Sequence, residues 1–452
     1  MRGTEGGGSA EATGGRIGYG LTAGMLVAVM LGGTLPIPLY VLYEPKMGFG
    51  PLGITVVFAV YVLGTLGALL AFGDLSDHFG RKKVLAIAVS CAAASTIIFL
   101  IATDIGELIA ARLVSGTAAG FAAGTASAAL AELQPRHNVR SAAVLAVGAN
   151  MVGLGLGPLV AGLFAQYLSA PTHTVFWAYL GLSAAAMLAL AAIPETVSDP
   201  DHAFRLHLQI KVPANMRLAM LGAMLGVFAA FTLLGLFSSL VPSFLRGILG
   251  VHNLALIGAA SFLIFATAAI SQALSARLPS RSSVSIGLPV LLVGIAALEA
   301  SLFAAALWLF LVGTVISGVA VGFVFRGGLS EIGRLAEPSH RGQAMSAFYA
   351  AAYLGLGLPV VLIGLISQLI STVDASAYVA GLLALVIVSA TFVVLRTFGE
   401  ASPSDVTAAA RHTTSTPPAQ AALPVDAMVN GQRASGKAVH GVGIPSPKGG
   451  RR

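Results

Sequence analysis

Long apolar blocks alternate with short polar ones along most of this chain. Apolar runs fall near 17–43, 51–73, 84–103, 106–131, 141–168 and 174–193. A second set follows near 217–245, 253–276, 284–302, 304–329, 343–370 and 375–395. A bilayer core of about 30 Å is crossed by about 20 apolar residues in a helix, and each run is of that order. The pattern predicts an all-α membrane protein with twelve transmembrane helices, six and six. The first run is too long for a signal-peptide core and lacks a small-residue cleavage site after it, so it is read as a retained span. Residues 1–16, with their glycines, are expected to be a disordered tail, 17–193 a first six-helix bundle and 217–396 a second. Between the bundles, "PETVSDPDHAFRLHLQIKVPANM" (194–216) is polar, contains three prolines and is read as a linker. Residues 397–452, rich in Ser, Thr, Pro, Gly and Ala, cannot bury a core and are expected to be disordered.

Six and six invites a test for duplication. "SGTAAGF" (115–121) lies 202 residues before "SGVAVGF" (317–323), and "GLGLGPLVAGLFAQYL" (153–168) lies 202 residues before "GLGLPVVLIGLISQLI" (355–370). The constant offset keeps Ser115/Ser317, Phe121/Phe323 and Gln166/Gln368 in register. The alternative is two unrelated small-residue helix interfaces. Two related six-helix bundles imply a pseudo-symmetric molecule with a site between the halves, opened to each side in turn.

Composition sharpens this. The chain is 56% hydrophobic and only 10% charged, where soluble domains carry about 25%, so its main solvent is lipid. Net charge is +7, yet the cations cluster. With the N-terminus inside, the cytoplasmic loops hold twelve Lys and Arg, including Arg81, Lys82, Lys83, Arg277, Arg281 and Arg334, against Lys46 and Arg246 outside. This positive-inside bias makes both termini cytoplasmic. It accounts for the charge without nucleic acid. The single cysteine, Cys91, allows no internal disulfide and reads as a small buried hydrophobe. The few histidines have no ligand-like spacing, so neither a metal site nor a cofactor is expected, and a membrane-embedded enzyme is disfavoured.

The densest charge cluster, "GDLSDHFGRKKV" (73–84), sits between the second and third runs. Its order is Gly, three residues, Asp, a basic position, one residue, Gly, then basic residues. This resembles the cytoplasmic-loop signature of the major facilitator superfamily. Gly73, Asp77, Gly80, Arg81, Lys82 and Lys83 fit, and His78 stands where Arg or Lys is usual. Physically, the glycines permit a sharp turn, Asp77 can accept from a helix N-terminus, and Arg81 can pair with an acid on an adjacent helix end, for which Glu132 is the candidate. The resemblance implies that the cluster latches the two halves on the cytoplasmic side in the outward-open state. The local alternative makes the basic residues topology determinants only.

Two more stretches extend the resemblance towards the twelve-helix drug/proton antiporter branch. Arg112 lies about seven residues into the fourth run, where a charge costs at least ~2.5 kcal/mol unless it faces the interior or a wet cavity. The Arg-x-x-x-Gly spacing to Gly116 resembles a family motif in which the arginine is tied to proton movement or substrate binding. The alternative is an outward-snorkelling side chain. Asp104 and Glu107 lie close enough in sequence to tune it. Gly153, Gly157, Pro158 and Gly162 in the fifth run resemble the family's antiporter motif, with Ala161 replacing one glycine; ordinary tight packing is the alternative. Pro36 and Pro38 are expected to break the first helix. Tyr40, Asn150, Gln166 and Tyr353 are candidate cavity residues, with Phe231, Thr232 and Gln272 beside them.

The resemblance implies a secondary transporter of small molecules working by alternating access in the cell (plasma or inner) membrane, with protons as the coupling ion. The antiporter-branch resemblance implies efflux, the apolar, thinly charged interior suits amphiphilic or drug-like cargo, and a monomer is expected. An importer of a sugar or metabolite by proton symport is the alternative, and it calls for carboxylate-bearing cavity helices. No proton relay is visible: Glu299 is the only acid well inside an apolar run.

Overall fold

The computed structural model of the chain describes residues 6–72, 75–135, 138–197, 217–336 and 341–397. These form α1 (Gly6–Thr34), α2 (Tyr40–Met47), α3 (Pro51–Phe72), α4 (Leu75–Phe79), α5 (Arg81–Ile101), α6 (Ile105–Leu133), α7 (Val139–Tyr167) and α8 (Pro171–Ala189). The second set is α9 (Arg217–Phe237), α10 (Val241–Gly247), α11 (Leu254–Leu274), α12 (Ser280–Phe303), α13 (Leu307–Leu335), α14 (Arg341–Ile366) and α15 (Thr372–Thr397). Among the described residues, twelve spans are long and apolar enough to cross a membrane, and α1 with α2 and α9 with α10 each make up a broken first span of their half.

Two expected boundaries move. α1 begins at Gly6, so residues 6–16 are helical where a disordered tail was expected. Once a helix exists, each added residue gains a hydrogen bond without a new nucleus, which lets the span continue outwards. Residues 194–197 belong to the first bundle rather than to a linker, because Glu195 and Thr196 bond into it. The rest of the linker, residues 198–216, and residues 398–452 lie outside the described residues, as does Gly73.

The two halves repeat each other contact for contact. α3 packs along α6 as α11 packs along α13, and α1 along α7 as α9 along α14. The offset of 202 now has a physical cause. A Cβ on Gly116 would overlap the Tyr61 carbonyl oxygen of α3, and one on Gly318 would come within 2.7 Å of the Ile264 carbonyl oxygen of α11. A Cβ on Gly153 would come within 2.7 Å of the Val27 carbonyl oxygen of α1, and one on Gly355 would overlap that of Phe228 in α9. The repeated glycines mark equivalent helix crossings, so the halves are two pseudo-symmetric six-helix bundles.

The seam between them is built the same way twice, α7 on α11 and α3 on α14. Successive spans run antiparallel, which defines a motif face, bearing residues 75–83, and a far face. Towards the far face the seam is closed by backbone contact. Gly162 lies against the Leu254 carbonyl oxygen and Gly364, 202 residues on, against Thr55. Gln166 accepts from the Leu254 amide across the seam at 2.8 Å. α2 also meets α10, where Arg246 reaches the Val41 carbonyl oxygen at 3.5 Å.

Candidate functional site

Between the halves, towards the motif face, lies a cavity of about 250 Å³. The first half contributes Thr34, Phe58, Tyr61, Ser127 and Asn150, and the second Phe231, Phe265, Phe325, Tyr349 and Tyr353. Among the described residues, none that lines it is charged. Phe325 lies 5.4 Å from Phe231 and 6.3 Å from Tyr349 between ring centroids, so these three rings form one aromatic patch on the second-half wall, backed by the buried Phe348 at 5.9 Å. Of the four candidate cavity residues, Asn150 and Tyr353 line it. Tyr40 and Gln166 do not: Tyr40 is fully buried against Arg112, and Gln166 is spent on the amide of α11. Their residue types suit a cavity, but type alone does not separate a cavity residue from one spent on a helix contact. Of the three residues beside them, Phe231 lines the cavity, Thr232 donates to the Phe228 and Gly355 carbonyl oxygens, and Gln272 opens onto a separate pocket.

Arg112 is fully buried in α6 and faces the interior of the first half. Its Nε donates to the Tyr40 hydroxyl and its Nη1 to the Gly33 carbonyl oxygen, which the break at Pro36 leaves near a helix end. The guanidinium carbon lies 5.2, 5.4 and 5.9 Å from the ring centroids of Tyr40, Tyr61 and Phe99. Aromatic faces attract a cation most where water is excluded, and they stand here in place of a carboxylate. Nη2 has no hydrogen-bond partner. The outward-snorkelling alternative for Arg112 is therefore overturned. Asp104 and Glu107 do not tune it either. They form a capping box at the start of α6, where Glu107 N donates to Asp104 at 3.0 Å and the Glu107 carboxylate accepts from Thr103. Gly116, one turn on, is the α6–α3 crossing point.

The fifth-span glycines divide their work. Gly153 and Gly157 lie against α1 and Gly162 against α11, while the Pro158 carbonyl oxygen touches Gly258 across the seam. α7 runs unbroken through Pro158.

On the motif face, Arg81 is brought together with its sequence-predicted partners. Its Nη2 donates to Glu132 Oε1 at 2.8 Å and also meets Asp77 one turn earlier, and its Nε reaches Glu132 Oε2 at 3.3 Å. Gly80, with φ +97°, turns the chain into α5 in a conformation that a side chain resists. The bare N-terminus of α5 is capped from afar. The Glu195 carboxylate accepts from Arg81 N at 2.8 Å and Lys82 N at 3.1 Å, satisfying two orphan donors at the positive helix end. Lys82 Nζ reaches the Ala191 carbonyl oxygen, and Thr196 donates to Glu132. Glu195 was missed by sequence reasoning; its only local signal is an acid directly after the proline that ends the sixth span. The partners found for Arg81 come from α4, α6 and the segment after α8, all in the first half.

Paired six-helix bundles around a seam cavity define a membrane transporter, not an enzyme. The chain belongs to the Major Facilitator Superfamily, whose family model matches residues 22–304 and 223–425. It is 33% identical over 136 residues to a triacylglyceride transporter of Mycolicibacterium hassiacum, covering 30% of this chain and 25% of that one. It is 35% identical over 116 residues to an MFS-type transporter of Aspergillus terreus, covering 25% and 21%. The matches thus span about a quarter of the curated relatives' length. The nucleoside transporter NupG superposes with a TM-score of 0.65 at 14% identity, over 85% of this chain and 100% of that one. The human organic anion transporter MFSD10 does so with a TM-score of 0.60 at 18% identity, over 83% and 99%. At these identities both likenesses concern the fold alone.

Proposed function

We propose that this chain exports small amphiphilic or drug-like compounds by alternating access, in exchange for protons. It works as a monomer in the cell membrane, with the motif face and both termini cytoplasmic. One observation carries the reading: a cavity lined by aromatic and aliphatic side chains, with a few neutral polar groups, lying towards the motif face of a seam that is tightly packed at its far end. An apolar wall gains from burying an oily body, and Asn150, Ser127 and the tyrosine hydroxyls orient a weakly polar end. A sugar importer needs a denser polar lining. Relatives named as triacylglyceride transporters favour oily cargo as well. Orientation rests on the Lys and Arg of the motif face.

In this mechanism the halves rock about the seam. Far-face contacts at Gly162 and Gly364 part while the motif face closes. Asp77, with a half-exposed side chain, then turns from Arg81 towards the second half, and the cluster holds that pose. Arg112 serves coupling. Its unpartnered Nη2 and the Tyr40 hydroxyl can receive or release an acceptor as the proton load changes.

Everted vesicles holding the protein and a preset pH gradient test this. A panel of amphiphilic compounds is expected to dissipate the gradient on addition, and Arg112→Ala to abolish that response while the protein still inserts. A gradient indifferent to every compound removes export by proton exchange.

A further inference from the structure

On the far face the two broken first spans end alike. Gly48 closes α2 with φ +70°, and Gly250, 202 residues on, follows α10 with φ +65°. Residues 44 and 246 share that offset, so they occupy the same place in each half, and α2 packs against α10. One is an acid and the other a base. Like charges at such related positions would repel across the pseudo-twofold axis, whereas Glu44 and Arg246 attract. Both are half-buried and line a far-face cavity of about 500 Å³ with residues of both halves. Among the described residues, no other charged group lines it. A cation on this face also runs against the positive-inside bias and calls for a local partner.

α2 carries a seat for that cation. Pro45 stands inside the helix and has no N–H, so the Val41 carbonyl oxygen loses its regular donor four residues on. Arg246 Nη1 takes up this oxygen from the other half, at 3.5 Å. The guanidinium thereby lies at the negative, C-terminal end of α2. Glu44, three residues after Val41, is on the same face of the helix. Its carboxylate feels the Arg246 charge without a direct ion pair. The other far-face contacts across the seam, at Gly162, Gly364 and Gln166, are uncharged.

We infer that Arg246 is a far-face clasp: seated on the Val41 carbonyl that Pro45 frees, and drawn by Glu44, it holds α2 to α10 in this pose and lets go when the far face parts. Arg246 and Glu44 are positioning residues and touch no cargo. The inference rests on the rocking of the halves proposed above and adds the charges that weight its two poses.

The test uses the full chain in lipid nanodiscs, with Cys91→Ser and spin labels on Ser169→Cys and Ala304→Cys, exposed positions at the far-face end of each half. Pulsed electron spin resonance reads the ratio of long to short label distances. Glu44→Gln and Arg246→Gln are each expected to raise that ratio about threefold, the size of one half-exposed charge pair. The double variant should also give about threefold rather than about ninefold, because the two charges act as one unit. Pro45→Ala returns an N–H to the Val41 carbonyl, and it should raise the ratio even though it favours the helix. If Arg246→Gln does not assemble, Glu44→Gln and Pro45→Ala decide alone. A ratio unmoved by Glu44→Gln, multiplicative effects in the double variant, or Pro45→Ala matching the parent overturns the inference. The readout needs neither cargo nor a pH gradient. Ratios that shift as stated in a chain that exports nothing keep the clasp and remove the export reading, and export with unmoved ratios does the reverse.

Discussion

The two ends of the seam are made of the same helices and behave differently. Towards the far face, α7 meets α11 and α3 meets α14 through glycine, with backbone against backbone at Gly162 and a threonine in the groove at Gly364. Towards the motif face the same helices diverge. Gly148 and Gly67 have open space, two cavities fill the gap, and the partners found for Arg81 stay within the first half. One end is held by close packing, and the other stands apart with the ion pairs of Arg81 inside one half. Packing at the closed end is stereospecific and cannot be relaxed by degrees. The charged end is half wet and is worth little until it finds a partner. A molecule built this way has one rigid closed pose and a second that depends on its ion pairs.

Crosslinking breaks this comparison most sharply. In a Cys91→Ser background, Thr55→Cys with Gly364→Cys places two Cβ atoms 3.0 Å apart, so a parting of the helices by about 0.5–1 Å brings them to the spacing of a disulfide. Oxidation is expected to stop transport and reduction to restore it, whereas Leu69→Cys with Tyr349→Cys, both at the open end, should not crosslink. Equal crosslinking at both ends would mean that the asymmetry is not the resting state. Next in size is Gly258→Val. Its side chain would overlap the Pro158 carbonyl oxygen, and overpacking of this kind costs about 1–3 kcal/mol, read as a lower melting temperature with transport lost. Arg81→Gln comes third. It separates Glu132 and Asp77 from their cation, but both acids are partly exposed, so about 1 kcal/mol is expected, with a roughly fivefold fall in flux through the population of the second pose. Unaltered flux would leave the cluster with a purely topological role. Gly148→Ala is the smallest, within about 0.5 kcal/mol of the parent in melting and normal in flux.

The spans were legible because lipid imposes a simple rule: about 20 apolar residues, with polar residues between. The repeat was legible because helix crossings admit only small residues, so Gly116 and Gly318 were fixed in register by the backbones they touch. The Arg81–Glu132 pair could be read from an acid and a base on adjacent helix ends. What could not be read are groups whose meaning depends on a distant partner. Glu195 caps α5 from 114 residues away, and nothing local separates it from a linker acid. Tyr40 and Gln166 looked like cavity residues because inward-facing polar groups look alike until their partners are known. The second half hides a related corner: the offset puts Arg334 opposite Glu132, and Glu331, 2% exposed, takes Ser280 and Arg334 as donors one turn earlier. Its ion pair with Arg334 is local to one helix.

The aromatic enclosure of Arg112 has an electrical consequence. A full positive charge sits deep in the first half, and the oxygens that hold it, a phenol and a backbone carbonyl, are neutral. Any rocking of that half carries the charge through part of the transmembrane field, where one elementary charge crossing 100 mV is worth about 2.3 kcal/mol. A displacement through a fifth of the field is then worth about 0.5 kcal/mol at that voltage, so each turnover should leave a small capacitive current and membrane potential should bias which face stands open.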